Sequence, residues 1–395
     1  MSQQPRPEQA FNFGFFFFAY YGFIGVFTPY AGLFFASRGL TAPQIGVLMS
    51  VMQVMRIVGP NLWGWVSDRT GQRVGVLRLT ALAATALFSG MFFGQTFAQF
   101  FMVMIAVNAF TSAQGPLSEA LMLSSMRGDL THYGKLRLWG SIGFIFSVTA
   151  GGEILDWQSI ELLPWMAWTM LGLVLLASLR MRESHSGSAP RPLPSIVAIL
   201  RQRDVAAFFA SSFLMIAAHA ALYVFLSLYL SKLGYSNATI GMLWSLGVLA
   251  EIGFFYYQAP LFRRFGVRTL LLASLLTAVV RFLILGFQGH SLGWLLGAQI
   301  LHAATFGTHH SACVMRMQNW FAGPLQASGQ ALYISISYGL GGTAGGLLMS
   351  VFWGRFGPVS VFVMAALLAL LGFVAAILSF RWQEFRPASQ GPDMA

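Results

Sequence analysis

Glu119 and Arg137 stand eighteen residues apart, both within long apolar runs. An ionised side chain in hydrocarbon costs roughly 2.5–3.5 kcal/mol on insertion scales, so such groups persist where they work or where they pair. Together these two types can form an ion pair, hold an organic anion on the guanidinium, or pass a proton through the carboxyl group. Arg56, Glu251, Arg281 and His302 also fall inside apolar runs. Glu251 is a second proton-carrying candidate, because a membrane carboxylate can take up and release a proton. For Arg56 and Arg281 structural pairing and function are equally good readings, and for His219, His309 and His310 the question is even. No nucleophile with a base, and no carboxylate or cysteine placed to complete a metal site, accompanies these groups. Neither an enzyme, a cofactor nor a metal is therefore expected.

The elements that must carry these residues follow from composition. Of 395 residues 56% are hydrophobic and 9% charged, too little charge to coat a soluble domain. Apolar runs of about twenty residues recur, each long enough for a bilayer of about 30 Å. Continuous runs such as LRLTALAATALFSGMFF lack barrel alternation, so the spans are helices. Twelve are expected, near 11–36, 43–66, 74–94, 97–123, 134–156, 161–181, 205–231, 237–258, 268–288, 291–316, 326–352 and 358–380. The fold class is all-α membrane protein, with six-helix bundles at 1–181 and 205–395 joined by a basic, Pro/Ser-rich linker at 182–204. The polar start, MSQQPRPEQA, has no small-residue cleavage site after it, so a removable leader is not expected. The one cysteine, Cys313, excludes an internal disulfide.

A net charge of +11 is of the sign nucleic acid attracts, but its distribution says otherwise. With the N-terminus in the cytosol, all Lys and Arg fall in cytosolic loops, tails or helix ends, apart from Arg38, Lys232 and Arg355 outside and Arg56 and Arg281 within spans. That asymmetry reports topology, with both termini and the linker cytoplasmic, and no nucleic-acid partner. A repeat supports two halves. FFASRGLTAPQIGVL and YLSKLGYSNATIGML share Gly39/Gly234, Ile45/Ile240, Gly46/Gly241 and Leu48/Leu243 at an offset of 195 residues, and Arg69-x-Gly71-x-Arg73 matches Arg264-x-Gly266-x-Arg268 at the same offset.

The stretch GWVSDRTGQR (64–73) resembles the loop signature of the major facilitator superfamily, with Gly64, Asp68, Arg69, Gly71 and Arg73 all matching. Two parallel six-helix repeats are that superfamily's construction. In the second half Arg263 stands in the place of Asp68. The resemblance implies a gating loop, in which Asp68 caps or pairs and Gly71 allows a tight reversal.

Glu119 and Arg137 lie nine residues either side of position 128, so an antiparallel hairpin puts them at similar depth. GPLSEA followed by GKLRLWGSIGF resembles the galactoside permeases, in which an acid and an arginine eighteen residues apart bind the sugar. Two positions depart from that pattern: Phe144 replaces a tryptophan that stacks on sugar, and Thr305 replaces an acid three residues after His302. LHAATFGTHH (301–310) looks like the phenylpropionate-transporter branch, which shifts the expectation from a galactoside to a small aromatic or other organic acid.

The resemblance thus implies a proton-coupled symporter importing an organic acid by alternating access across a bacterial-type inner membrane. The alternative is a sugar:proton symporter or a drug exporter. From another class, a membrane sensor would need a signalling domain, which the short tails do not supply. Substrate-binding candidates are Glu119, Arg137, Phe144, Asn108, His302 and Tyr20; proton-coupling candidates are Glu119, Glu251 and His302. Partners are the small-molecule substrate, protons and the lipid bilayer, with the chain acting as a monomer. In this superfamily spans one, four, seven and ten line the central cavity. Two stripes agree with that: Asn108, Ser112, Gly115 and Glu119 on span four, and Gln299, His302, Phe306, His309, Cys313 and Arg316 on span ten. The aromatics of FNFGFFFFAYYGFIGVFTPY are expected to face lipid for the most part, and GLGGTAGG (339–346) to pack helices closely between halves.

Overall fold

The computed structural model describes residues 7–125, 130–183 and 196–384. Most of the expected linker (184–195) and the chain ends (1–6 and 385–395) therefore lie outside the described residues. The regular elements within them are helices: α1 (Pro7–Ser37), α2 (Ala42–Thr70), α3 (Arg73–Phe88), α4 (Phe97–Ser125), α5 (Leu130–Trp157) and α6 (Leu163–Arg180). The second half supplies α7 (Arg203–Lys232), α8 (237–265) and α9 (267–287) divided at Gly266 of the single run Asn237–Phe287, α10 (292–320), α11 (Ser328–Phe356) and α12 (Pro358–Glu384).

Among the described residues, ten runs are long and apolar enough to cross a membrane by length and composition. The run Asn237–Phe287 has 51 residues, about 77 Å at 1.5 Å per residue, which is enough for two crossings. The stretch 292–320 adds one more, its helix interrupted by a wide turn at Ala303–Thr308. Twelve spans result. Where a loop between spans eight and nine was expected, the chain turns at one residue, Gly266, whose φ of 75° and ψ of 161° suit glycine alone.

The internal repeat is written in the backbone as well as in the letters. Gly39 and Gly234 both adopt positive φ, 79° and 88°, as do Gly71 and Gly266, 65° and 75°. At the end of α1, Leu40 N–H donates to Phe35 O at 3.1 Å; at the end of α7, Tyr235 N–H donates to Leu230 O at 3.1 Å. The offset is again 195, so both halves close this helix with the same six-residue hydrogen-bonded reversal.

Internal packing divides the chain into two compact units: Met1–Pro190 with Leu222–Val248 and Gly346–Arg355, and Arg191–Ala221 with Leu249–Gly345 and Phe356–Ala395. In the first, α1 lies against α5 and α6. Phe13, Phe16, Phe17, Phe23, Phe27 and Tyr30 are buried, and within FNFGFFFFAYYGFIGVFTPY only Phe11 is exposed. This corrects the expectation of a lipid-facing aromatic band: neighbours surround α1, so its rings are core. A Cβ on Gly143 would stand 2.2 Å from Phe18 O, and one on Gly25 2.6 Å from Phe144 O. The α1–α5 crossing therefore requires glycine on both helices.

The far end of α5 is also tied down. Asp156 accepts from the backbone N–H groups of Asn237 and Ala238, both at 2.8 Å, capping the start of α8. Tyr30 donates to Val148 O at 2.7 Å, and Thr149 and Ser245 share a hydroxyl bond of 2.6 Å.

In the second unit α7 packs along α12, where Ser211 donates to Gly372 O at 2.7 Å. Cβ atoms on Gly341 and Gly345 would meet the α7 backbone at Phe213 O and Ala217 O, at 2.7 and 2.3 Å. One register of GLGGTAGG thus packs inside its own half. In the other register, a Cβ on Gly346 would stand 2.5 Å from Ser50 Oγ of α2.

Candidate functional site

The first unit brings Glu119 and Arg137 together, and adds a residue the sequence did not single out. Arg137 Nε donates to Glu119 Oε1 at 3.3 Å, and Arg137 Nη2 donates to the Tyr21 hydroxyl at 2.7 Å. The guanidinium also lies 4.0 Å from the Tyr21 ring centroid, within cation–π range. Both members of the pair keep about a third of their side chains accessible, 32% and 34%, so a ligand can reach them. Gly140, three residues beyond Arg137, makes the room: its Cβ would stand 2.6 Å from Tyr21 Cδ2 and 2.8 Å from Arg137 Nη1. Tyr20 meets Tyr21 edge-on at 5.1 Å. The Tyr20 hydroxyl reaches Thr111 O of α4 at 3.5 Å, and a Cβ on Gly115 would stand 3.2 Å from it.

Asn108 is buried and donates to Met104 O of its own helix at 2.8 Å. Phe144 is half-buried, with its backbone against Gly25. Neither is tied to the Glu119–Arg137 pair by a described bond. In the loop signature Gly71 closes α2 in the left-handed conformation, its N–H on Ser67 O at 2.9 Å. Asp68 and Arg73 form a loose pair at 3.9 Å, and the Arg69 guanidinium sits over Trp65. A Cβ on Gly64 would meet nothing. The start of α3 is capped from further away: Glu183 accepts from Arg73 N–H at 3.0 Å and Val74 N–H at 2.9 Å.

The second unit holds its own polar cluster, centred on Arg281, which is 1% exposed. Its Nε donates to Ala298 O at 2.7 Å and its Nη2 to Gln299 Oε1 at 3.0 Å. Nη1 reaches His302 Nδ1 and Thr305 Oγ1, each at 3.0 Å. Thr305, standing where the galactoside pattern has an acid, gives the guanidinium a neutral acceptor. Arginine only donates, so His302 Nδ1 accepts, and a neutral ring carries its proton on Nε2. That nitrogen faces Glu251 Oε2 at 4.0 Å. Gly307 opens space beside Glu251, where a Cβ would stand 3.4 Å from Glu251 Cγ.

The wide turn at Ala303–Thr308 changes which side chains share a face. His302 stacks on Phe306 at 5.3 Å and Phe306 on His310 at 6.3 Å, with ring planes 13° and 8° apart. The column therefore continues through His310, not through His309 and Cys313 as even helical spacing suggests. A π-type turn holds an extra residue and delays the phase by about one position. His310 Nδ1 bonds the Tyr338 hydroxyl at 3.0 Å, while His309 and Cys313 turn inward and are buried. His219 packs against Phe282 and Phe306 beside His302.

Comparison with known proteins agrees with this architecture. The model of the MFS_1 like family matches residues 11–364. A probable 3-phenylpropionic acid transporter of Escherichia coli (strain K12) is 33% identical over 363 residues, covering 90% of this chain and 93% of that relative. A maltose permease of Geobacillus stearothermophilus is 29% identical over 269 residues, 67% of this chain and 68% of the relative. The crystal structure of the nucleoside transporter NupG superposes with a TM-score of 0.82 over 96% of this chain and all of the other, at 15% identity. Membrane-crossing helices, a twofold repeat and a family match along nearly the whole length converge: the chain belongs to the MFS_1 like family and is a multi-pass membrane transporter of the major facilitator superfamily.

Proposed function

We propose that this transporter imports a small aromatic carboxylic acid together with protons, by alternating access, across a bacterial inner membrane with both termini cytoplasmic. The observation that carries this reading is the Glu119–Arg137–Tyr21 cluster: a partly accessible guanidinium held by one carboxylate and one phenol. A carboxylate substrate offers Arg137 the same two-oxygen acceptor that Glu119 provides. Proton uptake by Glu119 neutralises its carboxylate and frees Arg137 for the incoming anion; proton release closes the pair again and expels it. Tyr21, bonded to the same guanidinium, holds it in place through the exchange. In the second unit, Glu251 with the Nε2 face of His302 is the second proton station. Similarity to the phenylpropionic acid transporter supports the substrate class.

Similarity to the maltose permease favours one other reading, a sugar:proton symporter in which Glu119 accepts a hydroxyl hydrogen bond. Counterflow in proteoliposomes loaded with 3-phenylpropionate or maltose separates the two. Exchange of the acid, abolished by dissipating the proton gradient only for net uptake, is the expected result. Exchange of maltose alone overturns the acid reading.

A further inference from the structure

Arg56 lies at the middle of α2 (Ala42–Thr70), fourteen residues from either end. A guanidinium at that depth is costly, yet Arg56 is exposed and, among the described residues, no carboxylate comes within ion-pair distance. Pro60, one turn later, has no N–H to give to the Arg56 carbonyl, so the helix ladder is open there as well. Facing lipid would leave this charge without compensation. Instead it shares a helix face with Gly59 and Trp63, three and seven residues on. That face meets α4, where Trp63 Nε1 donates to Ala109 O at 2.8 Å and the Tyr20 hydroxyl reaches Thr111 O at 3.5 Å, which sets Arg56 on the side of the candidate site. One turn along, Gly59 lets α2 approach α4 at Ser112 and Ala109, fixing the helix that carries it.

Among the charges deep within the spans of the first unit, positive then exceeds negative. Glu119 matches Arg137, and Arg56 remains as one positive charge near Tyr20. In the second unit Arg281 and Glu251 offset one another. A monoanionic substrate completes the first unit.

We infer that Arg56 is the capture residue for the substrate carboxylate, holding it beside Tyr20 while the Glu119–Arg137 pair is still closed. Proton uptake by Glu119 then frees Arg137 to take the anion over. This inference rests on the organic-acid reading and adds an order to it: Arg56 first, Arg137 second. Selectivity for an anion over its neutral isostere resides in Arg56, because Arg137 is already neutralised when the substrate arrives.

The test uses the full-length protein in lipid nanodiscs, with 3-phenylpropionate and the uncharged 3-phenylpropionamide as probes. Wild type should bind the acid and discriminate against the amide. Arg56→Gln should weaken acid binding on the order of tenfold or more, the scale of one charge-assisted hydrogen bond, and leave amide binding unchanged. Arg56→Lys should restore part of the acid affinity. In a Glu119→Gln background, where Arg137 is free, the effect of Arg56→Gln should shrink. Ligand-free Arg56→Gln should unfold at or above the wild-type temperature, because no carboxylate partner is lost. Equal acid affinity in wild type and Arg56→Gln overturns the capture role alone. A lower ligand-free unfolding temperature in Arg56→Gln also overturns it, by showing a structural contact. Wild type that binds neither acid nor amide overturns the organic-acid reading, and the capture role with it.

Discussion

Arg281 Nη1 donates to His302 Nδ1 at 3.0 Å, and this bond decides which nitrogen of His302 is available. A doubly protonated ring would turn a second donor toward the guanidinium, so His302 stays neutral while Arg281 holds it. The exchangeable face is Nε2, directed at Glu251. Under the proposed proton coupling, His302 therefore relays or orients, and Glu251 is the group that would change charge.

Substitutions at His302 should separate these two faces. Asparagine places an amide oxygen near the position of Nδ1, and glutamine places its amide near Nε2. His302→Asn is expected to keep the Arg281 bond and the thermal stability but lose proton-driven accumulation. His302→Gln should lower stability by about 1–3 kcal/mol, the cost of a buried donor without its acceptor. Thermal unfolding in detergent and uptake against a concentration gradient read the two effects; equal stability loss in both variants would reject the tautomer assignment.

Arg137 and Glu119 should respond asymmetrically. Arg137→Ala strands Glu119 and should lose acid binding along with stability, by less than the roughly 3–5 kcal/mol typical of fully buried pairs, since both partners are a third accessible. Arg137→Lys keeps the charge but not the two-pronged geometry, and should bind the acid poorly. Glu119→Gln should bind the acid as tightly or more tightly and fail to accumulate it, whereas a sugar would bind less well. Unchanged affinity in all three variants would make the pair purely structural.

Gly140→Ala tests the packing beneath the pair. The added methyl meets Tyr21 and Arg137 at 2.6 and 2.8 Å, and overpacking of this kind costs typically about 1–3 kcal/mol. The expected signature is weaker acid binding at nearly unchanged expression. Wild-type affinity would place the ligand away from Arg137.

Asp156→Ala removes both acceptors from the start of α8 and should loosen that end of α5. Ser245, 6% exposed, is a reporter: in Ser245→Cys, alkylation should accelerate several-fold once Asp156 is replaced. The native Cys313 is buried and contributes little background. An unaltered rate would mean that the Tyr30 bonds to Val148 O and Asn237 O suffice to hold the seam.

The repeat could be read in advance because its glycines are demanded by backbone conformation. Gly39, Gly71, Gly234 and Gly266 each occupy a positive φ, and no other residue serves as well. Glu119 and Arg137 were also legible, because a short hairpin fixes their depths. Tyr21 and Asp156 were not, since each acquires its role from a helix that is a neighbour only after folding. Glu183 caps α3 from 109 and 110 positions away, a separation that leaves no local pattern. The aromatic run of α1 misled because a ring suits lipid and core equally, and only the neighbours of α1 decide between them.

The wide turns at Ala303–Thr308 and Ile334–Gly341 have a rotary consequence. Each holds residues in reserve within the helix, and winding one back to α-helical pitch turns everything beyond it about the axis by up to about 100°, the angle of one residue. His310 and Tyr338, which bond one another, sit on these two threads, the first just past one turn and the second inside the other. The two helices can thus be re-indexed like a pair of screws, carrying His310 off the ring column while Arg281 and its acceptors before the turn, on Ala298, Gln299 and His302, stay where they are.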